Sequence, residues 1–203
     1  DDSSYIHMVM NETIEGVACR SLDDLPEKVL VSDCSSNILS EPLDVKKFGL
    51  IYAGAQKNIG PAGLAIVIIR KDLIQKRDDL PALMSYQTYA DSESMYNTPP
   101  TFAWYLSGKV FSWLKRNGGL KSIEEINLRK AKKLYDYIDN SDFYYNDVSI
   151  ESRSIMNVPF LLNDDSLNDS FLKDSEREGL LNLAGHRSVG GMRASIYLSL
   201  IHI

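Results

Sequence analysis

Lys57 stands in surroundings that suit a reacting amine. Two apolar runs, residues 49–53 and 64–69, flank a loop of small residues that includes Gly54 and Gly60. A loop with so little side-chain bulk lets another group approach the backbone closely. Shielding from water favours a neutral amine, which is a nucleophile toward aldehydes and would support Schiff-base chemistry. Taken alone, the lysine fits better a surface residue in a turn between two strands.

A carboxylate at the end of another apolar run, Asp33, changes that balance. Residues 29–33 are predicted to form a short buried strand, and ligands of open α/β sheets bind outside the carboxyl ends of the strands. Pyridoxal phosphate chemistry requires such an acid to keep the pyridine nitrogen protonated and a lysine to hold the aldehyde. Asp33 also fits an Asx turn or a helix N-cap. Spacing alone leaves the two interpretations about equal.

The composition is that of an ordinary globular protein. Of the 203 residues, 44% are hydrophobic and 25% are charged, and the net charge of -6 argues against general binding to nucleic acids or membrane surfaces. Cys19 and Cys34 lack the spacing of metal ligands, which indicates reduced thiols in a cytoplasmic protein and no metal site.

The apolar pattern predicts the elements that would hold these residues. Strands are expected at residues 5–10 and 156–162, and both runs beside Lys57 are expected to be buried strands. A helix with an aromatic face packed in the core should follow Pro100 and end at Gly118. A second helix should begin at a capping box formed by residues 122–125.

Longer stretches of the chain resemble one family closely. The matching segments, in order, are NETIEG at 11–16, DCSS at 33–36, AGAQKNIG at 53–60, YNTPP at 96–100 and GHRSVGGMRASIY at 185–197. They are similar to the phosphoserine aminotransferase family, which belongs to the class V, fold-type I pyridoxal phosphate enzymes. The likeness runs from about residue 5 to residue 197.

The resemblance implies an α/β fold in two parts. Residues 1–120 would form the back half of the large cofactor-binding domain, with a mostly parallel sheet and flanking helices. Residues 121–203 would form a truncated small α+β domain. Family members begin well upstream of residue 1, and residues 198–203 leave the family pattern. A chain truncated at both ends is expected to have little activity alone, because it bares apolar faces and strand edges.

The resemblance also assigns a role to each candidate site residue. Lys57 would be the catalytic residue that holds pyridoxal 5'-phosphate and transfers protons, and three groups of residues would surround it. The cofactor would contact Thr13, Asp33 and Gln56 of one subunit and Asn97 and Thr98 of the partner subunit, and the substrate phosphate would contact His186, Arg187 and Arg193. Without the resemblance, Thr13 fits a local turn, residues 97–98 a rigid turn before a helix, and the arginines surface ion pairs.

The implied activity is amino transfer in a cytoplasmic homodimer with shared active sites. Glutamate and 3-phosphohydroxypyruvate would give O-phospho-L-serine and 2-oxoglutarate in serine biosynthesis, and a related phosphorylated oxo acid of pyridoxine biosynthesis is a further expected substrate. The alternatives are another class V aminotransferase and a catalytically silent fragment or scaffold of the same fold. A cysteine desulfurase fits less well, because neither Cys34 nor Cys19 has the position of a reactive cysteine on a mobile loop.

Overall fold

A four-stranded sheet carries the N-terminal half of the protein. The computed structural model describes residues 2–198, and within them this sheet has the order β1-β2-β3-β4. The strands are β1 (Tyr5–Val9), β2 (Val29–Asp33), β3 (Leu50–Gly54) and β4 (Ala65–Ile69). The first three are parallel, and β4 is antiparallel to β3.

The two faces of this sheet differ in burial. Side chains that alternate along β2 and β3 are buried on one face, among them Leu30, Ser32 and Ile51. The opposite face carries Asp33 and Tyr52, which are opposite each other in the register of β2 and β3. Because Asp33 is the last residue of β2, its carboxylate lies at the carboxyl edge of the parallel strands, as predicted.

The prediction that residues 64–69 form a buried strand is wrong in its burial. β4 forms at that position, but Val67 and Ile68 are 40% and 42% exposed. Among the described residues β4 pairs with β3 alone and forms the edge of the sheet, so its β-branched run is not covered on both faces. Composition alone does not distinguish an edge strand from a central one.

Four helices accompany the sheets. They are α1 (Tyr86–Asp91), α2 (Thr101–Arg116), α3 (Gly119–Asp139) and α4 (Asn168–Arg177). α2 begins directly after Pro100 and ends before Gly118, as predicted, and Gly118 adopts a left-handed conformation with φ of 88° that lets α3 start at once. The predicted capping box is wrong, because Ser122 lies inside α3.

The apolar face predicted for α2 packs in the core only in part. Its buried residues are Ala103, Ser107 and Leu114, whereas Phe102 is 70% exposed and Trp104 and Tyr105 are also exposed. The periodicity predicted the helix correctly. The C-terminal part of its apolar face is packed, because Val110 and Trp113 contact the cluster of Leu114, whereas the N-terminal part lies on the protein surface.

A second sheet forms the C-terminal half together with α3 and α4. Its strands are β5 (Tyr144–Tyr145), β6 (Asn157–Leu162) and β7 (Met192–Ser195), which are antiparallel in the order β5-β6-β7. Val158 and Leu162 of β6 are buried in one cluster with Ala131 and Ile138 of α3, and Phe171 of α4 packs against it. This core fixes β7, the strand that carries Arg193.

Candidate active site

The loop after β3 holds Lys57 in a fixed position. Ile59 and Gly60 donate backbone hydrogen bonds to the carbonyl oxygen of Ala55 at 3.1 and 2.8 Å, which closes the turn. Asn58 is fully buried, and its Nδ2 donates to the carbonyl oxygen of Ile38 at 2.9 Å. Because these hydrogen bonds hold the residues after Lys57, the backbone that carries its half-buried side chain has a defined position.

The amine of Lys57 contacts Thr13. Nζ donates to Oγ1 of Thr13 at 2.6 Å, across 44 positions of sequence. Thr13 follows β1 and Lys57 follows β3, so the two loops come from the same edge of the sheet. The structure therefore brings together two residues that the sequence assigned to one site.

Burial lowers the pKa of Lys57, and the negative charges of Asp33 and Glu12 partly oppose that effect, whereas the positive charge of Arg193 adds to it. Both Asp33 and Arg193 thus lie within electrostatic range of the same amine. A lysine with a lowered pKa has a larger neutral fraction, which is the nucleophilic form.

Asp33 presents its carboxylate at the start of a turn. The backbone N–H of Ser35 donates to its Oδ1 at 2.8 Å, as in the Asx turn that its position allowed. This bond leaves acceptor capacity on the carboxylate for a further donor. The turn and the interaction with a cationic group are therefore compatible.

Tyr52 lies beside Asp33 and contacts His7, and the sequence predicted a role in the site for neither residue. Burial and the neighbouring Asp33 raise the pKa of Tyr52, and its hydroxyl lies 3.0 Å from Nε2 of His7. The two rings stack with their centroids 6.0 Å apart. The period-two alternation of β3 contained the signal, because it places Tyr52 on the same face as the carboxylate once β2 and β3 are paired.

Arg193 reaches the site from the second sheet. Its Nη1 donates to the carbonyl oxygen of Thr13 at 3.3 Å, and its Nε is buried without a hydrogen-bond partner among the described residues. An unpaired buried guanidinium donor is costly. The unused donor, close to the amine of Lys57, fits a site for an anionic group.

Gln56 lies beside the lysine with an exposed side chain. The side chain folds over Gly54 so closely that a Cβ on that glycine would lie 2.4 Å from Oε1 of Gln56. Because glycine has no Cβ, the amide of Gln56 can pack directly against the backbone of Gly54 at the end of β3.

His186 and Arg187 lie apart from this cluster. They begin an exposed turn before β7, in which Val189 and Gly190 donate to the carbonyl oxygen of His186 at 3.0 and 2.9 Å. Nδ1 of His186 lies 2.6 Å from Oγ of Ser188. Within the described part of the chain, neither side chain contacts Lys57 or Thr13.

Asn97 and Thr98 are also separate from Lys57 within one chain. Both are exposed, and Nδ2 of Asn97 donates to the adjacent carbonyl oxygen of Thr98 at 3.3 Å. Asn97 lines a groove of about 650 Å³ together with β4, Tyr86 and Trp104.

Residues 2–198 contain neither a candidate metal site nor a candidate membrane-spanning helix. No cluster of three or more metal-ligating side chains is present in this range. None of its helices is long and apolar enough to cross a lipid bilayer.

Comparisons with known proteins agree with this geometry. The family model of the class-V aminotransferases matches residues 1–200. The phosphoserine aminotransferase of Acinetobacter baylyi is 60% identical over 197 residues, which are 97% of this chain and 55% of that protein. The chain thus spans about half the length of the curated relatives that it matches.

Solved structures match over the same extent. The phosphoserine aminotransferase of Bacillus circulans subsp. alkalophilus is 46% identical and has a TM-score of 0.94, over 98% of this chain and 55% of that chain. The pyridoxal phosphate-bound phosphoserine aminotransferase of Trichomonas vaginalis is 40% identical with a TM-score of 0.90, over 98% of this chain and 57% of that chain. The predicted α/β fold class, part of a fold-type I aminotransferase, is confirmed.

Proposed function

Because this chain belongs to the class-V aminotransferases, we propose that the protein of which it forms part is a pyridoxal phosphate-dependent phosphoserine aminotransferase. The reaction would exchange an amino group between glutamate and 3-phosphohydroxypyruvate and would give O-phospho-L-serine and 2-oxoglutarate. The names of the relatives at 56% and 60% identity support this substrate pair. The observation that carries the proposal is the 2.6 Å contact between Nζ of Lys57 and Oγ1 of Thr13, with Asp33 and Arg193 acting on the same amine.

The residues present fit the cofactor. Lys57 would bind the aldehyde carbon of the cofactor, and the carboxylate of Asp33 would accept a hydrogen bond from the protonated pyridine nitrogen. Thr13 and Gln56 would contact the cofactor from the same edge of the sheet. Pyridoxal phosphate supplies an electron sink that stabilises negative charge at the α-carbon of the bound amino acid. The acceptor capacity left on Asp33 beside the Ser35 turn suits this role, because a carboxylate there favours the protonated ring.

Lys57 would also move the proton in the reaction. The lowering of its pKa by burial favours the neutral form of Nζ, which would remove the proton from the substrate α-carbon and return it during the transfer. The hydrogen bond to Thr13 orients Nζ, and the buried Asn58 next in sequence keeps the lysine backbone in place.

Arg193 would bind the phosphate of the oxo acid or the side-chain carboxylate of glutamate. Its buried and unpaired Nε supports this role, because a planar guanidinium matches two oxygen atoms of an anion at once. His186 and Arg187 would join it from the turn before β7. Arg187 would add a second charge, which favours a phosphate over an uncharged substituent.

The proposed assembly is a homodimer in which the two subunits share each site. Asn97 and Thr98 lie too exposed to serve Lys57 of their own chain, and they adjoin the exposed aromatic side of α2 formed by Phe102, Trp104 and Tyr105. Exposed aromatic surface of this kind is typical of an interface.

We further propose a division of the chain into two domains, residues 1–120 and 121–203. We also propose a cytoplasmic location, which is supported by the two free cysteines.

The first experiment tests the chemistry in the complete protein. The protein is loaded with pyridoxal phosphate, reduced with borohydride and mapped by peptide mass spectrometry, with Lys57→Ala and the exposed Lys132→Ala as the matched pair. We expect label on Lys57 and full transamination by the Lys132 variant. Label elsewhere, or equal rates with phosphorylated and unphosphorylated oxo acids, would contradict the proposal.

A second experiment tests the shared site. Lys57→Ala subunits are mixed with subunits that carry Asn97→Ala and Thr98→Ala, and activity is measured after subunit exchange. In a shared site, the hybrid has one site without either defect, so activity should return to at most about half of the wild-type value per dimer. No recovery, with hybrid dimers confirmed by mass spectrometry, would contradict the shared arrangement.

A further inference from the structure

Two asparagine side chains meet in the interior behind the candidate site. Asn157 at the start of β6 is fully buried and Asn11 is 2% exposed. Nδ2 of Asn11 donates to Oδ1 of Asn157 at 3.0 Å and to Oγ of Ser36 at 2.8 Å. The hydroxyl of Ser36 in turn donates to the carbonyl oxygen of Asn11 at 2.5 Å. One face of the Asn157 amide is thereby fixed to two loops of the first sheet.

The other face of the same amide is fixed to the second sheet. Nδ2 of Asn157 donates to Oγ of Ser195 and to the hydroxyl of Tyr197, both at 3.1 Å. Asn157 and Ser195 are also opposite each other in the register of β6 and β7. All hydrogen-bonding atoms of this side-chain amide therefore have partners, which is the condition under which a buried polar group rigidifies its surroundings.

Residues that the Asn157 amide links, either directly or through Asn11, lie close in sequence to residues of the candidate site. Asn11 is two positions before Thr13, Ser36 is three positions after Asp33, and Ser195 is two positions after Arg193. Arg193 itself contacts the lysine side of the site through one longer hydrogen bond, from its Nη1 to the carbonyl oxygen of Thr13 at 3.3 Å.

We propose that Asn157 is a positioning residue that sets the distance between the guanidinium of Arg193 and the amine of Lys57. The inference rests on the proposed function, in which those two groups bind the two ends of one substrate. The amide connects the loop of Thr13, the loop after Asp33 and β7, so its loss would let β7 shift relative to the lysine. A shift of β7 moves Arg193 and leaves Lys57 in place. It should therefore weaken anion binding more than it slows the reaction at Lys57.

Asn127 provides a matched control. It is also a buried asparagine, and its Nδ2 donates to the carbonyl oxygen of Ser40 at 2.8 Å. It links α3 to the chain after β2, and within residues 2–198 it has no hydrogen bond to a residue of the candidate site. Asn127→Leu and Asn157→Leu therefore remove the same group and leave buried partners unpaired, and only the second alters the link between Arg193 and Lys57.

The experiment compares these two variants in the complete, cofactor-loaded protein. Three quantities are measured: the melting temperature, the KM and kcat for 3-phosphohydroxypyruvate, and the dissociation constant of inorganic phosphate from 31P NMR line broadening. We expect both variants to melt at lower temperature. Asn157→Leu should raise the KM and the phosphate dissociation constant about tenfold with a smaller change in kcat, and Asn127→Leu should leave both constants within about twofold of wild type.

Tyr197→Phe is the milder variant for the case that Asn157→Leu does not fold. It removes one hydrogen bond of the amide and should raise both constants in the same direction by a smaller factor. The proposal is overturned if the Asn157 or Tyr197 variants lower only the melting temperature, as the Asn127 variant does. A wild-type protein that binds inorganic phosphate but does not convert the phosphorylated oxo acid would refute the proposed function, and the phosphate constants would still test the role of Asn157.

Discussion

Gly16 allows the segment after β1 to approach the second sheet. It is buried with φ of 69°, and its carbonyl oxygen accepts a hydrogen bond from the N–H of Ser154 at 2.8 Å. A Cβ at this position would lie 2.2 Å from Cδ of Pro159 and 2.8 Å from the carbonyl oxygen of Asn157. Gly16→Ala is therefore expected to destabilise the protein and to displace the segment that carries Thr13.

The loss of stability expected for Gly16→Ala has two parts. A left-handed conformation costs an alanine about 1–2 kcal/mol relative to glycine. Relieving the contacts with a proline ring and a backbone oxygen resembles overpacking, which costs about 1–3 kcal/mol. The free energy of unfolding should thus fall by roughly 2–5 kcal/mol, a large part of the stability of an ordinary domain.

The assay is urea unfolding of the complete protein, with Gly179→Ala as the control. Gly179 also has a left-handed φ, of 83°, but a Cβ there meets nothing within 4 Å. It should therefore lose only the conformational part, about 1–2 kcal/mol. Equal losses in the two variants would refute the argument that close approach to β6 requires a glycine at position 16.

Two further predictions concern side chains away from the lysine. Burial raises the pKa of the Cys34 thiol to about 11, so this thiol stays protonated at pH 8 and should resist iodoacetamide. The more accessible Cys19 should be alkylated, and equal labelling of the two cysteines by mass spectrometry under native conditions would contradict this. Arg153 donates to both carboxylate oxygens of Asp139 at 2.6 and 2.8 Å. Arg153→Met should therefore lower the free energy of unfolding, measured by urea unfolding, by roughly 2 kcal/mol. An unchanged urea midpoint and slope would show that the ion pair contributes nothing to stability.

The sequence predicted backbone elements better than their surroundings. The strand at residues 29–33 and the helix after Pro100 follow from local patterns, and both appear at the predicted positions. The exposure of Val67 and of Phe102 depends on which elements cover them, which a local pattern does not contain. For this reason the apolar pattern predicted burial at these two positions, which lie on the surface of the structure.

The candidate site was predictable to a similar degree. The resemblance placed Thr13, Asp33, Lys57 and Arg193 in one site, and the structure brings these four together. The roles given to the residues remain predictions. The buried Asn157 could not be found from the sequence, because a polar residue at the start of an apolar strand acquires its partners only through contacts that span up to 146 positions.

The antiparallel pairing of β3 and β4 has a consequence for the order of folding. The lysine loop lies inside this hairpin, so closing it requires only a short stretch of chain, and local contacts of this kind form fast. The partners of the lysine are farther away: Thr13 is separated from it by 44 positions, and Arg193 contacts the Thr13 backbone across 180 positions. During synthesis the ribosome would therefore release the loop of Lys57 well before Arg193, and Arg193 could contact Thr13 only after translation of β7.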